Sequence, residues 1–251
     1  MKIFFYLVFI VAQVQIAFAE DSATSAIKVI ENILNNPDKD IDLAKEKLTI
    51  DKLVDPNTDI TVALAEIKKM VNTIKSGLNP DLKPLDKAFS LSAFLYEAGY
   101  WNNFKPFQYD LDDPLGQNLN SKLLSTYLKS KKGNCVSMPI LYAILANKIG
   151  LDVTLSIAPL HVFVKLKNPA TGQYINLETT DKGLPISNDA YKKDFSISNL
   201  AIKNKVYLQP LNKKKVVAVM AMLLNESFVP AKHLLVQKSR GVGVGNANPK
   251  R

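Results

Sequence analysis

The sequence predicts an α+β fold: a helical first part, then one strongly apolar helix, then a short antiparallel sheet. Apolar residues recur at helical spacing up to residue 149, and from residue 153 they alternate with polar residues, as in strands. The apolar helix over residues 137–149 is the last helix before this change of period. We therefore expect that helix to pack on the sheet.

Residues 1–19 are typical of a secretory signal peptide. Lys2 supplies a positive charge, residues 3–12 form an unbroken apolar run, and Ala17 and Ala19 are the small residues that precede a cleavage site. We therefore predict cleavage after Ala19 and a periplasmic or secreted protein. The alternative is an uncleaved anchor helix, for which the apolar run is too short to span a bilayer. No later run has membrane length, so the chain is not expected to span a membrane.

The first part of the chain after this leader is predicted to be helical. Residues 24–78 carry apolar side chains at helix spacing, and the prolines at 37 and 56 divide this stretch into three helices. The next segments are a helix over residues 85–98 that Gly99 ends, an aromatic and Pro/Asp-rich loop over 101–117, and a short helix over 120–130.

Short strands follow the apolar helix. They are predicted over residues 153–157, 162–166 and 173–177, with a hairpin turn at 168–172 and a further strand over 206–209. A last helix is predicted over residues 211–225.

The sequence favours a single domain over residues 20–230, because it shows no internal repeat and no sharp change of composition. Its parts are a mostly helical part over residues 20–118, a core with the candidate catalytic residues over 119–210, and a C-terminal helix over 211–230. Residues 231–251 form a basic tail, which we expect to be disordered.

The net charge of +9 is open to two interpretations. Lysine runs such as residues 213–215 attract anionic partners, for example a cell-envelope surface, but they are also common on solvated protein surfaces. No aromatic residues are interleaved with a basic stripe, so no nucleic-acid partner is predicted. The chain has neither a CxxC nor an HxxxH pattern, so no metal site and no cofactor are predicted.

Cys135 is the only cysteine of the chain. In an oxidising compartment thiols are usually paired, so a single cysteine in an exported protein suggests a reactive group. Asn134 stands where a helix cap is expected, which places Cys135 at the start of the apolar helix, where unpaired N–H groups and the helix dipole favour a thiolate. The alternative is a packed, inert side chain, as free cysteines often are.

A thiol nucleophile needs a base, and two histidines are available. His161 begins an otherwise apolar strand, where burial is costly without a partner; His233 lies near the basic tail and has no such setting. Glu178, at the end of the next strand, can orient the imidazole across a hairpin, and Asp181 is the alternative.

These residues resemble a known family, the transglutaminase-like superfamily of papain-type Cys–His–Asp proteins. The resemblance lies in three segments: Gly133-Asn134-Cys135 ahead of an apolar helix, His161-Val162-Phe163-Val164 opening a strand, and residues 172–180 (GQYINLETT). It implies a papain-like core and a triad of Cys135, His161 and Glu178, with glutamate where aspartate is usual.

Further segments are similar to the bacterial branch often called SirB-type transglutaminase-like. The similarity extends over roughly residues 25–228 and includes 94–100 (FLYEAGY), 112–114 (DDP), 120–124 (NSKLL) and 207–211 (YLQPL). Many members of that branch lack the cysteine and are presumed to be non-catalytic, whereas Cys135 is present here.

Two functions follow from this resemblance. The first is an exported enzyme that transfers acyl groups from peptide or cell-envelope amides to water or to an amine through Cys135. The second is a non-catalytic binding module that keeps the fold to hold a peptide or a cell-envelope partner. The fold alone does not choose between them.

Overall fold

The computed structural model describes residues 23–114 and 116–222. The predicted signal peptide, residues 1–19, and the predicted tail, residues 231–251, lie outside the described residues. So does the end of the predicted last helix, which is described over residues 213–222.

The α+β fold class is confirmed: helices pack around a small antiparallel sheet. The described helices are α1 (23–35), α2 (Leu43–Val54), α3 (Ile60–Gly77), α4 (Pro84–Tyr96), α5 (Leu124–Ser130), α6 (Ser137–Lys148), α7 (Asn188–Asp194), α8 (Asn199–Lys203) and α9 (213–222). The described strands are β1 (Gln108–Tyr109), β2 (Lys132–Gly133), β3 (Val153–Ala158), β4 (His161–Lys167), β5 (Tyr174–Glu178) and β6 (Leu184–Ile186).

Asp42 and Asp59 cap two of the N-terminal helices. Their carboxylates accept hydrogen bonds from the first free N–H groups of α2 and α3, which satisfies donors that a helix leaves unpaired. Within α2, Lys47 and Asp51 form a fully buried ion pair. The second oxygen of Asp51 accepts the N–H of Ser125 at 3.2 Å and so caps α5.

Helix α6 is the centre of the core. Its residues from Ser137 to Ala146 are all buried, as expected for a helix that is apolar on every side. One side of α6 packs on β3 and β4, and other sides contact α2 to α5. The predicted packing of this helix on the sheet is therefore confirmed.

The main sheet has the order β3-β4-β5-β6, with all neighbours antiparallel. Val164 pairs with Leu177 on the face toward α6, and Lys165 pairs with Asn176 on the opposite face. A smaller apolar cluster, with Phe163 and Tyr191 in it, covers that second face. The sheet is thus buried on both sides.

The predicted strand over residues 206–209 is wrong. This segment lies beside β3, where the Leu208 and Leu211 N–H groups each donate to a carbonyl of that strand. The backbone of Leu208 has φ of 60°, in the left-handed region, and Pro210 has no N–H to donate, so a regular ladder does not form. The fourth strand is β6, which the sequence did not indicate.

The sequence predicts a loop without regular structure over residues 101–117, but this segment contains β1. Gln108 and Tyr109 pair in parallel with Lys132 and Gly133. This pairing fixes the chain just ahead of Cys135.

Candidate active site

Cys135 lies between β2 and α6. The Asn134 side chain accepts hydrogen bonds from the N–H groups of Val136 (3.0 Å) and Ser137 (3.3 Å), so it caps the helix start as predicted. The regular helix begins only at Ser137, so Cys135 precedes it by two residues instead of lying in its first turn. Pro139 falls in the first turn, where its missing N–H costs no helical hydrogen bond.

The backbone around the cysteine is fixed by close packing. A side chain at Gly133 would come within 2.6 Å of the Ser137 hydroxyl and of the Tyr127 ring. The Ser137 hydroxyl donates to the Ser121 carbonyl at 2.8 Å and accepts the Asn134 N–H at 3.1 Å. The glycine of the Gly-Asn-Cys segment is therefore required by this contact.

The Cys135 thiol faces the turn between β3 and β4. Its Sγ lies 3.8 Å from the carbonyl oxygen of Leu160, whose backbone has φ of 56° and whose side chain points into solvent. The next residue is His161, and its imidazole is close enough to Cys135 for the thiol to raise the pKa of His161. The structure thus brings Cys135 and His161 together.

Glu178 binds the other side of the imidazole. The His161 Nε2 and Glu178 Oε2 atoms are 2.7 Å apart, which leaves Nδ1 as the ring nitrogen toward Cys135. The register pairs Val164 with Leu177, and continuing it by one residue places Phe163 opposite Glu178, so His161 and Glu178 are diagonal neighbours on one face of the sheet.

The Glu178 carboxylate accepts four hydrogen bonds. Oε2 accepts from His161 and from the Tyr191 hydroxyl at 2.8 Å; Oε1 accepts from the Thr180 N–H at 3.0 Å and the Thr180 hydroxyl at 2.6 Å. Burial raises the pKa of Glu178, but the hydrogen bonds and the charge of His161 outweigh it and hold that pKa below its ordinary value. The Glu178 carboxylate is therefore ionised, and its hydrogen bonds hold it in one position.

His161 is a stronger base than an ordinary histidine. Burial lowers its pKa, whereas hydrogen bonds with Cys135 and Glu178 and the negative charges of these partners raise it, to about 9. A buried imidazolium is stable here only because anionic partners surround it.

Aromatic residues that the sequence did not indicate complete the surroundings of His161. The Phe195 ring stacks on the imidazole, with centroids 5.1 Å apart. Tyr191, in α7, stacks on Phe163 at 4.1 Å while its hydroxyl donates to Glu178. Helix α7 is short and polar (NDAYKKD), so neither its periodicity nor its composition marks Tyr191 as part of the site.

The alternative carboxylate, Asp181, does not take the place of Glu178. Asp181 ends a 3-10 turn, Thr179–Asp181, and is exposed, and Glu178 occupies the position on the imidazole that Asp181 was considered for. His233 lies outside the described residues. Within residues 23–114 and 116–222, no group of three His, Cys, Asp or Glu side chains could hold a metal ion.

Two further findings concern the helices of the described residues and the similarity of the chain to known proteins. No helix in the described part is long and apolar enough to cross a membrane. The model of the family described as the transglutaminase-like superfamily matches residues 61–222. No curated protein and no solved structure matches the chain.

Proposed function

Because the chain belongs to the transglutaminase-like superfamily, we propose that it is an exported, cysteine-dependent acyl-transfer enzyme. Support comes from one series of contacts, from the Cys135 thiol through the His161 imidazole to the Glu178 carboxylate. This order of nucleophile, base and orienting anion is what covalent catalysis by cysteine requires.

In the first step Cys135 attacks the carbonyl carbon of an amide. His161 holds the thiol proton at Nδ1, and a new S–C bond forms as the carbonyl electrons move to oxygen. The C–N bond then breaks, and His161 gives its proton to the departing amine. The product is a thioester on Cys135.

In the second step water or an amine attacks the thioester. His161 takes a proton from this nucleophile and returns one to the sulfur as the C–S bond breaks. Water gives hydrolysis, and an amine gives transamidation. Glu178 does not take up a proton: it keeps Nε2–H bound and Nδ1 directed at the thiol.

The substrates we propose are peptide or cell-envelope amides. Export is part of this proposal: residues 1–19 would be a signal peptide cut after Ala19, and residues 20–230 would form one domain of the SirB-type branch. Support for these finer points comes from the sequence, namely the apolar leader and the segments quoted above.

Alkylation of Cys135 tests the proposal. Because this is the only cysteine, the mass added by iodoacetamide reports on it alone. We expect reaction in the folded protein at neutral pH, and a large loss of rate in His161→Ala, whose folding is checked by circular dichroism. A thiol that reacts only after denaturation would refute the enzyme and leave the non-catalytic binding module.

A second assay addresses turnover. Ammonia release from a primary carboxamide measures formation of the thioester, and incorporation of a biotinylated amine into an acyl-donor protein measures transamidation. Both are expected to disappear in Cys135→Ala and Cys135→Ser alike, because a serine hydroxyl is not ionised by this histidine. Release that persists in both variants would show that Cys135 is not the nucleophile.

A further inference from the structure

The loop between α4 and β1 presents aromatic side chains to solvent. Tyr100 is 86% exposed and Phe104 59% exposed, and their rings touch edge to face with centroids 4.9 Å apart. Trp101, the only tryptophan of the chain, is 45% exposed. Large apolar side chains grouped on an exposed surface are typical of an interaction site.

This loop is held in one conformation. The buried Asn102 side chain donates to the carbonyls of Phe94 (3.3 Å) and Glu97 (2.6 Å) and accepts the Gly99 N–H at 3.0 Å. The Trp101 indole N–H donates to Phe94 as well. The loop thus caps the end of α4 and holds its rings in place before any binding. Because it does not need to become ordered on binding, less conformational entropy is lost on association.

The display of Phe104 works against the backbone preference of that residue. Asn103 and Phe104 both have positive φ, 55° and 56°. Asparagine tolerates this region, whereas a bulky aromatic residue is rarely found there. The strained residue holds a ring whose aromatic contact, Tyr100, is itself exposed, which points to a use outside the folded chain.

Lysines lie next to this loop. Lys105 follows Phe104 directly, and the Lys131 ammonium donates to the Lys105 carbonyl at 2.9 Å. Burial lowers the pKa of Lys131; the charge of Glu66 raises it, and those of Lys105 and of Lys69 in α3 lower it further, so both lysines lie near Lys131. Helix α3 flanks the loop, since Thr73 and Trp101 line the same cavity of about 310 Å³.

We propose that this surface docks on the face of an anionic lipid bilayer. We call it the aromatic–basic surface, and it consists of Lys69, Tyr100, Trp101, Phe104, Lys105 and Lys131. The bilayer interface offers an apolar boundary for the rings and anionic headgroups for the lysines at the same place. A polyanion in solution would leave the rings in water, and a neutral glycan would leave the lysines without partners.

A second exposed surface of similar composition provides a matched control. Leu200 and Val206 are exposed, with the exposed Lys203 and Lys205 beside them. It has apolar and basic groups but no aromatic cluster. Substitutions there change charge and hydropathy as much as substitutions on the aromatic–basic surface do.

Fluorescence of Trp101 measures the docking directly, since no other tryptophan contributes. The full chain is titrated with vesicles of phosphatidylglycerol and phosphatidylcholine in equal amounts. We expect the emission to shift to shorter wavelength, because the indole enters a less polar environment. The apolar residues 3–12 are common to every variant, so differences between variants report on the surface.

Four variants separate the contributions. Lys69→Gln with Lys105→Gln is expected to weaken binding by about 25-fold, roughly fivefold for each lysine near an anionic surface. Phe104→Asn, which suits the left-handed backbone, is expected to weaken it by about tenfold. The matched controls, Lys203→Gln with Lys205→Gln and Leu200→Ser, are expected to bind as the unchanged protein does.

Three results would overturn the proposal. They are no shift of the Trp101 emission with anionic vesicles, an equal loss of binding in the control variants, and the same saturable shift with polyphosphate in place of vesicles. Thermal unfolding of each variant confirms that it is folded.

Discussion

Replacing Glu178 by Gln removes the charge of this side chain and keeps its shape. The carboxylate now accepts four hydrogen bonds, two at each oxygen, and an amide has only one acceptor oxygen. If the NH₂ group faces His161, it can bond only to a ring whose Nε2 accepts. The proton then moves to Nδ1, the atom that must take the thiol proton, and the imidazole has the wrong tautomer.

The expected loss of rate in Glu178→Gln follows from the pKa of His161. A value of about 9 against the ordinary 6.5 corresponds to about 3 kcal/mol in favour of the imidazolium, shared between Cys135 and Glu178. Losing the anion removes a substantial part of this stabilisation, while the burial that lowers the pKa stays. We expect the alkylation rate of Cys135 at pH 7 to fall at least about tenfold. Turnover should fall further, by about 10⁴-fold, as in other triads with the wrong tautomer.

The assay is the iodoacetamide rate between pH 5 and 10, followed by intact mass, for three proteins. Asp181→Asn is the matched control, because it removes an acidic charge three residues away from a side chain that does not bind His161. It should behave as the unchanged protein does. If Glu178→Gln keeps the rate and pH profile while Asp181→Asn loses them, the assigned order of the triad is wrong.

Three other predictions concern the support of the site and the core. Tyr191→Phe removes one hydrogen bond to Glu178 and should lower stability to urea by about 1.5–3 kcal/mol, with only a severalfold loss of turnover. The raised pKa of His161 stabilises the fold fully below pH 6.5, and this contribution is lost as pH rises through about 9. The unfolding free energy should therefore fall by about 3 kcal/mol across that range, and His161→Gln should flatten the profile. Lys47→Met leaves the buried Asp51 carboxylate without its cation and should cost about 3–5 kcal/mol in the same urea assay.

The sequence predicted those parts of the fold whose apolar residues repeat with a clear period. Helix α6 and strands β3 to β5 were placed within two residues of their observed ends, because burial on one or both faces fixes their patterns. Strand β6 was missed since it has three residues with a proline in the middle. The expected strand over residues 206–209 fails because of a left-handed backbone, which composition does not reveal.

The residues of the candidate site also divide into those that the sequence could predict and those that it could not. Cys135 and His161 could be predicted because a lone thiol and a histidine on an apolar strand are both chemically unusual. The choice between Glu178 and Asp181 depended on sheet register, and the Val164–Leu177 pairing decides that Glu178 lies beside His161. Tyr191 could not be predicted, because a tertiary contact between α7 and the sheet brings it to the carboxylate.

Sheet geometry also accounts for glutamate at a position where aspartate is usual in the family. The residue directly opposite His161 in the β4–β5 register would be Thr180, which already lies in the 3-10 turn, so the carboxylate must reach diagonally from residue 178. Diagonal side chains start about 7–8 Å apart, which favours the longer of the two acids. At the same time Oε1 caps the turn through Thr180. An aspartate could cap that turn, but with one methylene fewer it would not also reach the imidazole without a shift of the strand. We therefore expect Glu178→Asp to keep the fold and the negative charge and still to lose much of the alkylation rate of Cys135.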